Sequence, residues 1–327
     1  MTERDTTERG TTEPLIHEVT TGAAGALEAG GPRTDGEGAR SLWSDAWKEL
    51  RRNPLFWISS ALILLFVVMA AVPQIFTSTD PNFAELSRSR EKPSSRAWFG
   101  MDTQGYDIFA RTIYGARSSI LVGVLTTAAT LIFGSFVGII AGYTGGWVDA
   151  VLSRVSEVFF AIPLLLGGIL ILYSFPSDID TSYLVVVLKV VFALAILGRP
   201  NLHRLMRASV LQVKPNDYVS AARALGASPG RIIVSHILPN SLAPVIVVST
   251  INLGAFIATE ATLSFLGIGL QPPAISWGLA ISEASGIGLI RAAPHMLIFP
   301  SIFLSLTVLA FIMLGDAIRD ALDPKLR

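Results

Sequence analysis

The strongest constraint on this chain is a set of long runs that carry almost no charge. Residues Pro54 to about Phe76 contain none. At about 1.5 Å of rise per residue, a helix of that length crosses the ~30 Å hydrocarbon core of a bilayer. Similar runs lie at about Ser118–Ala141, Val155–Tyr173, Tyr183–Leu197, Ser241–Leu266 and His295–Leu314. In hydrocarbon a backbone must satisfy its own amides, and a helix does so within one segment. Composition agrees. The chain is 51% hydrophobic and 15% charged, with a mean hydropathy of +0.55, whereas a soluble domain carries about 25% charged residues. The expectation is an all-α polytopic membrane protein with about six transmembrane helices.

The remaining segments fall into place around these runs. Residues 1–40 are rich in Thr, Gly, Glu and Ala without an apolar period, which predicts a disordered cytoplasmic tail. They lack the basic region and apolar core of a signal peptide. Residues 41–53 place Leu42, Trp43, Trp47 and Leu50 on one helical side, with Lys48, Arg51 and Arg52 just before the first span. That pattern predicts an interfacial elbow helix. Residues 54–117 hold the first span and an extracytoplasmic segment, in which Asp107 is placed to cap a helix through Ile108 to Tyr114. Residues 118–318 form a five-span core with short turns at Gly142–Ser153 and Phe175–Ser182, a Gly/Pro-rich excursion at Gly267–Pro294, and a loop at 214–240. Residues 319–327 make a second cytoplasmic tail. With both termini cytoplasmic, Arg154, Arg199, Arg204, Arg207, Lys214, Arg223, Arg231 and Arg319 gather on the inner side.

Several chemistries are excluded. Net charge is +0, and no basic patch interleaved with aromatics is present, which argues against nucleic acid. Cys is 0, so disulfides and thiolate chemistry are absent. His17, His203, His236 and His295 are scattered without metal-ligand spacing. There is no G-x-x-x-x-G-K-[ST] loop to cradle a nucleotide.

One polar stretch interrupts the apolar pattern. Lys214 to Asn240 reads KPNDYVSAARALGASPGRIIVSHILPN. Asn216 and Asp217 are helix-starting residues, and Tyr218, Ala221, Ala222 and Leu225 recur at one helical face. Gly226 sits where a helix stops with φ > 0. Ser228-Pro229 restarts the chain, and Ile232, Ile233, His236 and Ile237 line a second short helix that Pro239 should end. Two helices broken at a glycine are expected, each too short to cross a membrane.

This stretch resembles the coupling loop of importer-type ABC permeases, whose pattern is Glu-Ala-Ala, three residues, Gly, nine residues, then Ile-x-Leu-Pro. Ala221, Ala222, Gly226, Leu238 and Pro239 stand at matching positions, while Ser220 replaces the Glu and His236 the Ile. Further matches are Gly100-Met101-Asp102 with Gly105-Tyr106-Asp107, Tyr114-Gly115-Ala116-Arg117, Gly142-Tyr143 with Gly145-Gly146-Trp147, Glu260 through Gly267, Gln271-Pro272-Pro273, and Leu314-Gly315-Asp316. From about Leu50 onward the chain is similar to the C-type permease subunits of dipeptide and oligopeptide importers.

That resemblance implies a type I importer permease fold in the bacterial inner membrane, non-catalytic and forming half of a translocation pathway. It implies three kinds of protein partner, a second homologous permease, two ATPase subunits and an extracytoplasmic substrate-binding protein, together with membrane lipid and without nucleic acid. ATP and Mg belong to the ATPases, and this chain binds no cofactor. The cargo implied is a peptide, with a nickel chelate or another solute as the alternative. Asp217, Tyr218, Ser220, Ala221, Ala222, Arg223, Leu225, Gly226 and Pro239 are the implied coupling residues.

Charges inside spans are costly and mark function. Glu260 lies well inside the fifth span and is expected to face a permease interface or an aqueous cavity; Lys189, near the outer end of the fourth, is a candidate for the pathway or that interface. The rival class is an ion-coupled secondary transporter, which predicts inverted repeats, and no second copy of the 214–240 loop is found. An intramembrane hydrolase would need a spaced nucleophile and base, also not found.

Overall fold

The computed structural model describes residues 42–178 and 180–322, so the expected N-terminal tail and residues 323–327 lie outside the described part. Among the described residues there are twelve α-helices and no strand. Helix α1 (Leu42–Leu50) lies where the elbow helix was expected. It turns into α2 (Pro54–Ala71) at Asn53, whose side chain accepts from the Leu55 amide at 2.9 Å, with Pro54 at the first helical position. Trp47 meets Phe56 edge-on at 5.9 Å between centroids, which helps set the angle between α1 and α2. At the far end of α2, the Arg117 guanidinium donates to the carbonyls of Ala70 (3.0 Å) and Ala71 (3.3 Å). A cation there satisfies groups that a helix C-terminus leaves open.

Asp107 caps α3 as expected, accepting from the Phe109 amide at 2.9 Å. The short helix and the second span are not separate, however. They form one helix of 37 residues, Ile108–Thr144, because nothing between Tyr114 and Ser118 breaks the backbone ladder. Gly145 (φ 69°) stops it, and α4 (Gly146–Phe160) starts at once. The expected turn at 142–153 is thus one residue wide. The third span is also not straight. Helices α4 and α5 (Leu164–Ser174) meet at 85°, because Pro163 has no amide to donate and drives the residue before it out of helical geometry. Five helices are long and apolar enough to cross a membrane, or six if this bent pair counts as one span.

Helix α6 (Tyr183–Val213) passes Leu197, where the fourth span was expected to end, and runs through Pro200 to the polar stretch. Helix α7 (Asp217–Ala224) follows, then α8 (Pro229–Ile232). The second short helix does not stop before Pro239. A π-turn at Ile233–Ile237 joins it to α9 (Leu238–Phe265), making 229–265 one continuous span. The Leu238 amide bonds back to Ile233, five residues away, so the turn widens next to the position where Pro239 has no N–H to give. The excursion holds α10 (Trp277–Ala284) and α11 (Ile287–Ala292). Helix α12 (His295–Leu322) then continues past Leu314 into the segment read as polar tail.

Small residues set the packing. Gly134, Gly138 and Gly142 recur every fourth residue on α3 against α6. A Cβ at Gly138 would lie 2.6 Å from the His203 carbonyl, and one at Gly134 would lie 3.1 Å from that of Arg199. Gly254 of α9 and Gly315 of α12 do the same for that pair, a Cβ on Gly254 meeting the Val308 carbonyl at 2.9 Å. In lipid, where apolar side chains gain little by leaving their surroundings, such close backbone approach drives helix association. At one end of the bundle, segment 77–107 is fastened down. Phe99 stacks on Phe299 at 3.9 Å and His295 Nε2 lies 3.3 Å from the Met101 carbonyl, while at the same end the buried Trp277 indole ties α10 to α3 by donating to Thr112 O at 2.8 Å. Asp102 is held by local bonds. Its oxygens accept from the amides of Gln104 (2.8 Å) and Tyr106 (2.9 Å) and from Arg111 (3.2 Å).

Candidate coupling and translocation site

At the opposite end of α3 from Trp277, the polar stretch projects from the bundle. Helix α7 closes with two bonds beyond its last turn. Gly226 N–H donates to Arg223 O at 3.0 Å and Ala227 N–H to Ala222 O at 3.0 Å, with Gly226 at φ 81°. These are the paired bonds of a Schellman stop, and the positive φ is why a glycine stands there. The hairpin is rooted in its own small core. Val219, Ile232, Ile237 and Val213 are buried together with Met206 and Val210 of α6.

Val219 carries this anchoring, and it was not singled out from the sequence. The stripe read as an apolar face is turned differently: Tyr218, Ala221 and Leu225 are exposed, Leu225 at 88%, and only Ala222 is drawn half inward against the core. Asp217, Ser220, Arg223, Gly226 and Pro239 are also exposed. The loop therefore has a fixed inner side and an outer side on which two large apolar side chains, Tyr218 and Leu225, stand in the open.

The base of the hairpin is braced to the bundle. Arg207 of α6 grips Asp149 of α4 through two parallel bonds of 2.5 and 2.6 Å. Lys214 Nζ donates to Tyr143 O at 2.7 Å, closing the end of α3 onto the start of the loop. A forked guanidinium–carboxylate pair fixes direction as well as distance. These partners are 58 and 71 positions apart, so no local signal marks them.

The two intramembrane charges are placed differently from one another. Glu260 faces neither an interface nor an open cavity. It is 0% exposed, inside the chain itself, where α9 meets α3 and α10. Its Oε1 accepts from Ser264 Oγ at 2.7 Å, and that hydroxyl accepts from the Leu270 amide at 2.9 Å. Ser119 and Ser276 lie beside it, although Oε2 has no partner at hydrogen-bond distance among the described residues. The small neighbours Gly278 and Ser264 let α10 press onto α9 and close the nest. Lys189 stands half-buried at the wall of a cavity of about 570 Å³ between the end of α5, the start of α6 and the turn after α9.

The family of binding-protein-dependent transport system inner membrane components matches residues 134–327, and the N-terminal TM domain of oligopeptide transport permease C matches residues 41–93. Among curated relatives, a dipeptide transport system permease protein DppC of Alkalihalophilus pseudofirmus is 38% identical over 90% of this chain and 94% of its own length. The oligopeptide transport system permease protein OppC of Bacillus subtilis is 36% identical over 92% and 96%. A glutathione transport system permease protein GsiD of Pectobacterium atrosepticum is 37% identical over 88% and 93%. Among solved structures, inward-facing MetNI methionine ABC transporter matches with a TM-score of 0.48 and 19% identity over 64% of this chain and 96% of that one. An amino acid ABC transporter with histidines matches at 0.47 and 18%, over 64% and 91%. With a family match across more than half its length and relatives above 30% identity end to end, this chain belongs to the binding-protein-dependent inner membrane components, the permease subunits of ABC importers that work with separate ATPase subunits.

Proposed function

We propose that this permease moves short peptides inward, that α7 docks on an ATP-hydrolysing subunit, and that both termini are cytoplasmic. The relatives are named for dipeptide, oligopeptide and glutathione transport, all of them peptides. One second permease and two ATPases complete the assembly, and a binding protein delivers cargo from outside. The observation that carries the coupling role is the geometry of the polar hairpin. It is anchored on its inner side by buried Val219, Ile232 and Ile237, braced through Arg207–Asp149, and bare on its outer side at Leu225 and Tyr218. A rigid base with an exposed apolar tip can transmit a push; a loosely held loop would absorb it.

The test uses exposed positions. Ala222 packs into the hairpin's own core, so Ala222→Trp would disturb folding before it disturbed docking. Ala221→Trp and Leu225→Asp change the outer side alone. In the complete complex, both are expected to reach the membrane at normal levels. Both should lose about tenfold or more of the ATPase stimulation caused by loaded binding protein, since a buried interface anchor is worth upwards of ~1.4 kcal/mol. Gly226→Val opposes the positive φ at the helix stop and should act in the same direction. Normal stimulation and uptake in the first two variants would remove α7 from the ATPase contact.

A further inference from the structure

We propose that Lys189 and its cavity receive the C-terminal carboxylate of a peptide as it passes from the binding protein into the permease. This rests on the peptide-import reading and on α7 being cytoplasmic, which places the cavity at the outer mouth. Lys189 lies in the first two turns of α6. Its Nζ donates to Pro176 O at 2.8 Å and Ser177 Oγ at 3.2 Å, both in the loop after α5. An ammonium has three protons to give and a full charge to neutralise. Among the described residues no carboxylate lies within ion-pair distance, and Asp178 and Asp180 of the same loop do not reach it. A cation kept in a membrane segment against two neutral oxygens, with one donor to spare, is costly unless something anionic visits it.

The cavity beside it has the right form for such a visitor. Its volume of about 570 Å³ falls in the range of small-molecule sites. Leu172, Val186 and Ile268 supply apolar wall, while Gln271 and the exposed Tyr173 supply polar groups. A second, almost wholly apolar hollow of about 370 Å³ shares Lys189 and opens beside Phe192 and Leu188. One cation at the junction of a mixed hollow and an almost wholly apolar one matches a ligand with one carboxylate and flanking side chains, which describes the C-terminal end of a di- or tripeptide. It does not match a free inorganic anion, which would want donors on every side.

The test compares acids with their amides. Alanyl-alanine, trialanine and the C-terminal amide of each are presented to the full complex in proteoliposomes, with uptake divided by the measured occupancy of the binding protein. The wild-type complex is expected to move the acids about tenfold faster than the amides, as a hydrogen bond to a charged group implies. Lys189→Met should bring both to the same low rate, and Lys189→Arg should restore the preference. Lys189→Cys answers any folding defect, because the chain has no other cysteine and can be modified after assembly. Adding an aminoethyl group by thiol exchange should return the acid preference, and adding a sulfonatoethyl group should not. An acid-to-amide ratio that is the same in wild type, Lys189→Met and both modified forms overturns the proposal and leaves Lys189 as a fastener of the 176–177 loop. Absence of peptide uptake by the wild-type complex, with binding protein loaded, overturns the peptide reading and this proposal with it.

Discussion

Glu260 shows how one buried residue can join three helices. It sits at 0% exposure beside the hydroxyls of Ser264, Ser119 and Ser276, and no ion pair is made to it among the described residues. A buried acceptor that holds Ser264, which in turn holds the Leu270 amide, shapes the turn after α9. Glu260→Gln keeps the acceptor oxygen and the volume, so membrane abundance and thermal stability in detergent should stay close to wild type. Glu260→Leu leaves the Ser264 hydroxyl without its acceptor, and an orphaned buried polar group costs about 1–3 kcal/mol. That variant should lose stability and abundance, with uptake falling only in proportion. If the Leu variant were as stable as wild type while uptake collapsed, Glu260 would be acting on cargo or partner and not on the fold. The depth of Glu260 in its span was legible, and its burial inside the chain was not. Depth follows from counting along a helix, whereas direction depends on which neighbours arrive from α3 and α10.

At the scale of elements, the glycine seam between α3 and α6 decides how the α7–α8 hairpin is aimed. Gly134, Gly138 and Gly142 bring the two backbones together, and the lower half of α6 then carries Arg207 to Asp149 and Lys214 to Tyr143. Gly138→Val would drive a branched side chain into the His203 carbonyl and the Met206 Cβ. Overpacking of this kind costs about 1–3 kcal/mol or more. The expected result is lowered membrane abundance and early unfolding, a phenotype distinct from the stable but uncoupled one proposed for Leu225→Asp. An abundance equal to wild type would mean that the seam is slack. The spans themselves were legible because long apolar runs with at most one charge have few other uses. Their ends were not. Helices α3, α6 and α12 all run beyond their apolar stretches, since a helix ends where its backbone ladder is interrupted and not where hydropathy falls. Pro163 broke a span and Pro239 did not, and the difference lies in the π-turn at Ile233–Ile237, which no local pattern announces.

The whole molecule makes a stricter demand, because α3 fixes which loops share a side. Its 37 residues extend about 55 Å at 1.5 Å each, well beyond the hydrocarbon core, so its two ends lie on opposite faces of the bilayer. Near its start, Trp277 reaches Thr112 and His295 reaches Met101, which ties segment 77–107, α10 and the start of α12 to one face. Near its end, Tyr143 meets Lys214, which ties α7 to the other. Single cysteines can report this, since the chain has none. Ser95 and Gly288 are exposed on the first face and Ser228 on the second, and a side chain at Gly288 meets no atom within 4 Å. In intact cells, an impermeant thiol reagent added outside should label Ser95→Cys and Gly288→Cys and leave Ser228→Cys untouched until the membrane is opened. The partition of two against one tests the fold, and any other grouping would contradict the contacts around α3. The identity of the labelled pair tests the orientation, which rests on Lys and Arg gathering near α7. Labelling of Ser228→Cys alone would keep the fold, invert the protein in the membrane, and withdraw α7 from any cytoplasmic ATPase.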